Sequence, residues 1–176
     1  LKRLAEWARA EGLPLMVHAA ESPEEVAFLA RGEGPLREVY GRFAKTPWTP
    51  PGTTPVRHLH ALGVLGPTTL LVHGVQVDEE EVGLLAETGT KVVLCPRSNA
   101  NLEVGEAPKH GVELALGTDS RGSSPDLDVK NEARFLWGRA EPRLLVRALT
   151  RGGYRALGLP TPRLTRGTPL SLVHFL

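Results

Sequence analysis

The chain has 176 residues and a mass of 19.0 kDa, which suits one domain but falls short of the ~250 residues of a complete eight-stranded α/β barrel. Lysine and arginine number 21 against 20 acidic residues, and the net charge of +1 provides no basic surface for a nucleic acid or a membrane. The lone cysteine, Cys95, excludes an internal disulfide framework, and no apolar run approaches the ~18 residues of a membrane span. A soluble, cytoplasmic chain is expected.

The first part of the chain predicts one strand among several helices. An amphipathic pattern runs from Leu1 to a stop at Gly12, and the apolar segment LPLMVH follows it. The segment SPEE at 22–25 is typical of a helix start, and a proline-rich loop occupies 44–55. The predicted elements are a helix over 1–12, a strand over 13–18, and helices over 23–30, 34–44 and 55–62.

The second part alternates strands with helices. Asp78 is a predicted helix cap, 96–108 a predicted loop, and Gly152-Gly153 a predicted helix break. Strands are predicted over 68–73, 91–95, 112–119 and 168–176, and helices over 78–89, 127–139 and 142–159. Four strand-loop-helix units in series predict the α/β class with a parallel sheet, because parallel strands need crossover connections.

Three titratable residues, His18, His73 and Asp119, close predicted strands. Side chains alternate along a strand, so His73 is expected to share a face with Leu71, away from the large aliphatic residues of the opposite face. Sites of parallel α/β folds lie at the carboxyl ends of strands, where all three residues are expected to meet. Imidazoles and a carboxylate are ligands typical of zinc or iron(II).

Each of these residues also has a structural interpretation. A histidine at a strand end is often simply hydrogen-bonded, and an aspartate before serine often caps a helix or turn. Glu21 either turns back over the site to give a proton to a substrate nitrogen, or only favours the positive end of the next helix. The spacing alone leaves both interpretations open.

Other histidines and the cysteine are not assigned to the site. His58 and His60 have the H-x-H form, but they lie in a predicted helix, where residues two apart point about 200° apart. His110 and His174 are taken as surface or core residues, and Cys95 as a small buried hydrophobe.

Five motifs together resemble the amidohydrolase superfamily, in the correct order and over nearly the whole chain. They are H-A-A-E at 18–21, L-V-H-G at 71–74, C-P-R-S-N at 95–99, L-G-T-D-S at 116–120 and L-D-x-x-x-E at 127–132. The branch that the chain resembles most contains the aminohydrolases of S-adenosylhomocysteine, guanine and aminofutalosine. H-G-V-Q-V and the W-x-P-P-G-x-x-P loop are most similar to aminodeoxyfutalosine deaminases of the menaquinone route.

The resemblance implies a TIM-type (β/α)8 barrel of which this chain is the C-terminal half. Residues 1–160 would form strands five to eight with their helices, and residues 161–176 would be the final strand of a small β-sandwich. The family's H-x-H strand has no counterpart here. We therefore expect a longer enzyme, and a missing N-terminal half or a second copy of the chain as partner.

The resemblance also implies one divalent metal, zinc or else iron, bound by His18 and Asp119. Asp119 would take the proton from metal-bound water, and His73 would hold the attacking oxygen. Glu21 would protonate the ring nitrogen of the substrate. Substrate contacts are assigned to the loop residues Arg97, Ser98 and Asn99, although a polar loop beside a proline is equally a turn.

The implied activity is hydrolytic deamination of an adenine-type nucleoside with release of ammonia. Hydrolytic dechlorination and amide cleavage of a small-molecule substrate are neighbouring alternatives, because both reactions use the same metal hydroxide. A catalytically silent half barrel is the alternative from another class. A nucleic-acid deaminase is disfavoured, because the P-C-x-x-C signature is absent.

Overall fold

The computed structural model describes residues 1–44, 46–161 and Arg166. The predicted last strand over 168–176, its His174 and nearly all of the predicted β-sandwich segment 161–176 lie outside the described residues. Among the residues described, no helix is long and apolar enough to cross a membrane.

Short helices and four short strands alternate along the chain, close to the predicted order. The strands are β1 (Leu15–Ala19), β2 (Thr69–His73), β3 (Lys91–Leu94) and β4 (Leu114–Leu116). The helices are α1 (Lys2–Ala10), α2 (Pro23–Arg31), α3 (Pro35–Phe43), α4 (Pro55–Ala61), α5 (Glu79–Thr88), α6 (Pro96–Asn101), α7 (Val129–Phe135), α8 (Pro142–Arg147) and α9 (Gly153–Ala156), with a π-helical segment, Ala148–Gly152, between the last two.

The four strands form one parallel sheet in the order β1-β2-β3-β4. Each strand returns to the sheet through at least one helix, as parallel pairing requires. The predicted α/β class and parallel sheet are confirmed. All four carboxyl ends consequently lie along one edge of the sheet, which is the edge that carries the candidate site.

One face of the sheet is covered by helices and forms the main apolar core. A second, smaller apolar cluster is separate from this core. The main core joins Leu71, Val92, Leu94, Leu114 and Leu116 of the strands to Val56, Leu59, Leu85 and Leu145 of α4, α5 and α8, and to Leu136, which directly follows α7. The second cluster contains Leu70, Val72, Val93, Cys95, Ala115 and Ala156. Cys95 is buried, as predicted.

Local sequence signals determine where several helices begin and end. The Ser22 hydroxyl accepts a hydrogen bond of 3.3 Å from the backbone N–H of Glu25 at the start of α2. Asp78 and Glu81 form a reciprocal capping box at the start of α5, which confirms Asp78 as the cap. Both helices end at glycines with left-handed backbone, Gly32 and Gly89, where a side chain would be strained.

The segment after β3 is a helix, although the sequence predicts a loop over 96–108. Pro96 ends the strand but also occupies the first turn of α6, a position where its fixed φ suits a helix and its missing N–H costs nothing. Ser98 and Asn99 are buried, and their side chains bond to other segments. They therefore do not compete for the backbone groups of their own helix, which is the usual reason that such residues disfavour helices.

The predicted break at Gly152-Gly153 is also absent, because the chain continues from the π-helical segment into α9. Both glycines have ordinary helical dihedral angles. Gly152 lies so close to β4 that a Cβ atom there would clash with the carbonyl oxygen of Leu114. The glycine is thus explained by close packing of the helix on the strand rather than by helix termination.

These two glycines provide a matched pair of substitutions. Gly153→Ala should leave stability unchanged or raise it by up to about 1 kcal/mol, because its Cβ meets nothing within 4 Å and alanine favours helix. Gly152→Ala should lower the free energy of unfolding by about 1–3 kcal/mol, a typical effect of overpacking. Urea denaturation measures both. Equal stability of the two variants would contradict this account of the packing.

Candidate metal centre

His18, His73 and Asp119 come together at the carboxyl ends of β1, β2 and β4. Each offers one ligand atom, and the three atoms all lie within 4.8 Å of one another. His18 Nε2 is 3.9 Å from Asp119 Oδ1, and His73 Nε2 is 3.8 Å from Asp119 Oδ2. Two imidazoles and a carboxylate at these separations match a first-row metal in ligand type and in spacing.

The two histidines reach this place by different routes. The register pairs His18 with Val72, and Val17 with Leu71, and paired side chains lie on the same face of the sheet. His73 follows Val72 directly, so strict alternation would turn it to the face opposite His18. Leu71 packs in the helix-covered core, which corrects the expectation that it shares a face with the site. His73 joins the site because its backbone is left-handed, with φ of 73°.

Left-handed backbone recurs at the carboxyl ends of these strands. Besides His73, the non-glycine residues Ala20 and Asp119 have φ of 54° and 60°. This region is uncommon for side chains other than glycine, asparagine and aspartate, and such strain often occurs at functional sites. It turns the chain at the end of β1 and β2 and shortly beyond β4, and it turns the side chains of His73 and Asp119 toward His18.

His73 is completely buried, and its two ring nitrogens have different surroundings. Nδ1 lies 2.8 Å from the side-chain oxygen of Asn99 on α6. Nε2 is buried without a hydrogen-bond partner among the described residues, at 3.4 Å from the Glu21 carboxylate. An unpartnered buried nitrogen is unfavourable, so this atom indicates the place of a further ligand, such as a cation or a substrate atom.

Asp119 is held by two serine hydroxyls. Ser98 and Ser123 both donate to Oδ2, at 2.7 and 2.9 Å. Burial raises the pKa of the Asp119 carboxyl, but these two hydrogen bonds outweigh it, and the pKa lies below its usual range. The carboxylate is therefore ionised at neutral pH, and Oδ1 remains turned toward His18.

Glu21 lies over the same group. Its carboxylate points at Nε2 of His73, whereas Ser22 makes the hydrogen bond to the start of α2. Glu25 Oε2 accepts a 2.8 Å bond from the backbone N–H of Glu21 and so fixes this turn. Burial raises the pKa of Glu25. The Glu21 carboxylate thus lies on the side of the site, and its role as a proton donor stays a prediction.

The three residues predicted to contact substrate make contacts within the protein. Ser98 and Asn99 bond to Asp119 and His73 as described, and both are buried. Arg97 makes a bidentate pair with Asp126 at 2.9 and 2.8 Å. Its backbone N–H donates to Glu132 at 3.0 Å. Substrate contact by these three residues stays a prediction.

Sequence reasoning missed the supporting residues Ser123, Asp126 and Glu25. Serine and aspartate in the segment SRGSSPD are equally typical of an ordinary turn, and nothing in the spacing distinguishes them. A signal for Glu25 exists in S-x-x-E at 22–25, which places this carboxylate back at the helix start. His58 and His60 lie on α4, as predicted, and are not members of the group.

A model of the amidohydrolase family matches residues 1–175. An aminodeoxyfutalosine deaminase from Deinococcus radiodurans is 42% identical, over 95% of this chain and 44% of its own length. A 5-methylthioadenosine/S-adenosylhomocysteine deaminase from Halobacterium salinarum is 33% identical, over 99% of this chain and 40% of its own length. This chain therefore spans about two fifths of the length of these curated relatives.

A solved structure shares the fold. The crystal structure of an adenosine deaminase from Xanthomonas campestris with bound zinc is similar to this chain with a TM-score of 0.70 and 30% identity. The match covers 89% of this chain and 35% of the adenosine deaminase chain.

The hydroxyls on Asp119 predict a dependence of stability on pH. A pKa lowered by folding stabilises the protein above the unfolded value, and this contribution is lost as pH falls through the folded pKa. Ser123→Ala should raise the pKa of Asp119 and destabilise the protein at pH 7 by about 1.5–3 kcal/mol. The difference from the parent should shrink below about pH 4. Urea denaturation across pH, with Ser120→Ala as control, measures this; a loss that stays constant with pH would contradict it.

Cys95 is a probe of the interior beside this site. Burial first, and then the charges of Asp119 and Glu132, raise the pKa of its thiol to about 12. Since the thiolate is the reactive form, iodoacetamide at pH 8 should label the native protein more than about a thousandfold slower than the urea-unfolded protein. Mass spectrometry over time measures both rates. Native labelling within tenfold of the unfolded rate would contradict this burial.

Proposed function

Since this chain belongs to the amidohydrolase family, as its motifs predict, we propose that it forms the C-terminal part of the active site of a metal-dependent nucleoside deaminase. The observation that carries the proposal is the meeting of His18, His73 and Asp119 at the carboxyl ends of three parallel strands. The reaction is the hydrolytic replacement of the amino group of an adenine-type base, with release of ammonia.

The sheet is proposed to be strands five to eight of a (β/α)8 barrel over residues 1–160, with residues 161–176 belonging to a β-sandwich. Exposed apolar side chains on α1, on β1 and between them support a further covering element. Trp7 on α1 and Met16 on β1 are 54% and 53% exposed, and Leu4 and Leu13 are also exposed. An N-terminal half or a second copy of the chain is the proposed partner. The cytoplasmic location stays a prediction.

The residues present fit one divalent cation. His18 and Asp119 would hold it, and zinc suits these nitrogen and oxygen ligands best. The ionised Asp119, with Oδ1 3.9 Å from His18 Nε2, supports this place for a cation, and the unpartnered Nε2 of His73 beside it supports a place for the attacking oxygen. When bound, such a cation supplies Lewis acidity that lowers the pKa of a water molecule to about 7.

The remaining steps belong to side chains of this chain. Asp119 accepts a proton from the attacking water and returns it to the leaving amino group, which departs as ammonia, and Nε2 of His73 holds the attacking oxygen by a hydrogen bond. Glu21 gives a proton to the ring nitrogen next to the carbon that carries the amino group, which makes that carbon more electrophilic. Glu21 Oε1 and His73 Nε2 are 3.4 Å apart. This short distance supports roles for both side chains on one bound substrate.

The proposed substrate class follows from the named relatives, which are deaminases of aminodeoxyfutalosine, 5-methylthioadenosine, S-adenosylhomocysteine and adenosine. We propose aminodeoxyfutalosine as the first substrate to test, because the 42% relative bears that name. Arg97, Ser98 and Asn99 stay candidates for substrate contact. Their present bonds support an additional role in holding the site together.

The test is ammonia release by the full-length natural protein loaded with zinc. Aminodeoxyfutalosine, S-adenosylhomocysteine, 5-methylthioadenosine and adenosine are supplied separately, together with a chlorinated triazine. Ammonia from a nucleoside supports the proposal. Chloride release alone would assign the protein to dechlorination, and a protein that takes up no zinc and releases neither product would support the silent alternative.

Two substitutions separate binding from chemistry. Asp119→Asn should abolish both zinc retention, measured by elemental analysis, and activity. Glu21→Gln should retain zinc and lower kcat by about 10²–10⁴-fold, because only the proton donor is lost. His110→Gln is the control, since that side chain is exposed and contacts Glu79 away from the site. Equal activity of Glu21→Gln and the parent would exclude the proton-donor role.

A further inference from the structure

Helix α6 is the one described helix that reaches both neighbours of its own strand at the site. The sheet order places β3 between β2 and β4, and α6 follows β3 directly. Its consecutive residues Ser98 and Asn99 therefore contact Asp119 beyond β4 and His73 at the end of β2. A single short helix thus connects two groups that approach the centre from different strands.

We propose that Asn99 is a positioning residue that fixes the tautomer of His73, so that the neutral imidazole carries its proton on Nδ1 and presents the lone pair of Nε2 to the centre. The role of that lone pair in catalysis rests on the proposed function, whereas the tautomer itself does not. Asn99 is not assigned a contact with the reacting atoms. It acts through His73.

The contact itself determines the tautomer. Asn99 Oδ1 lies 2.8 Å from His73 Nδ1, and a carbonyl oxygen only accepts hydrogen bonds, so this hydrogen bond forms only when Nδ1 carries the proton. A neutral imidazole with Nδ1–H has an unprotonated Nε2. Both side chains are buried, at 0% and 2% exposure, so water does not provide an easy substitute for this hydrogen bond.

The surroundings of Nε2 make the choice of tautomer matter. This nitrogen is buried and unpartnered among the described residues, and it faces the carboxylates of Glu21 and Asp119. These carboxylates alone would favour a proton on Nε2, which would then point at the place of the cation. With Nδ1–H held by Asn99, Nε2 accepts a hydrogen bond from water or substrate instead. Asn99 thereby opposes the electrostatic preference of the site.

A purely structural role for Asn99 makes different predictions. If the amide only satisfied buried polar groups, its removal would lower stability without changing the proton position on His73. Asn99→Asp retains an acceptor of the same shape, whereas Asn99→Leu has similar bulk and no acceptor. Asn101→Leu is the matched control, because Asn101 is exposed on the same helix.

The first measurement is the nitrogen NMR spectrum of the full-length natural protein with labelled histidine, with and without zinc. His73 is assigned by the loss of its signals in His73→Gln. The parent, Asn99→Asp and Asn101→Leu should show Nδ1 protonated and Nε2 unprotonated, and Asn99→Leu should shift His73 toward the Nε2–H form. A parent ring with a proton on Nε2, whether or not Nδ1 is also protonated, or an unchanged spectrum in folded Asn99→Leu, would overturn the proposal.

The second measurement is steady-state kinetics on the substrate that the protein deaminates. Asn99→Leu should lower kcat by about 10–100-fold, as removal of partners behind a site residue does, with KM changed less than threefold. Asn99→Asp should recover most of kcat. A loss confined to KM would overturn the positioning role and favour direct substrate contact. If no substrate is deaminated, the proposed function fails, and the NMR spectra still decide the tautomer.

Discussion

Parallel pairing of four short strands is the constraint on which the candidate site depends. Because all strands run in one direction, their carboxyl ends lie on one edge, and residues far apart in sequence meet there. The left-handed residues Ala20, His73 and Asp119 then turn the chain abruptly. The apolar core holds the strands in place, and the left-handed turns orient the side chains of the site. Stability therefore depends mainly on the strand residues, and the geometry of the site depends on the residues at the strand ends.

The strand ends could be predicted because short apolar runs closed by a histidine or an aspartate are a local signal. The turn of His73 could not, since alternation places it on the face of Leu71, and only its left-handed backbone brings it into the site. Helix α6 could not be predicted from the sequence for a related reason. Serine and asparagine after a proline favour a loop unless distant partners bind their side chains, and sequence alone does not reveal Asp119 and His73 as those partners.

The polar interior around α6 shows how buried groups specify one arrangement. Arg97, Ser98 and Asn99 each bond to a different segment, through Asp126 and Glu132, Asp119 and His73. A slip of one residue in this helix would leave several buried partners unsatisfied at once, which is more costly than any single lost bond. The segment C-P-R-S-N therefore fixes the geometry around the site through its side-chain contacts.

The position of β1 at the end of the described sheet has a consequence for how the chain behaves in isolation. One side of this strand bonds to β2, and the other side has no strand beside it among the described residues. Unpaired backbone groups along a strand that carries the exposed Met16 are a template for additional strands. A solution of this polypeptide is consequently expected to self-associate as its concentration rises, by strand pairing at this edge.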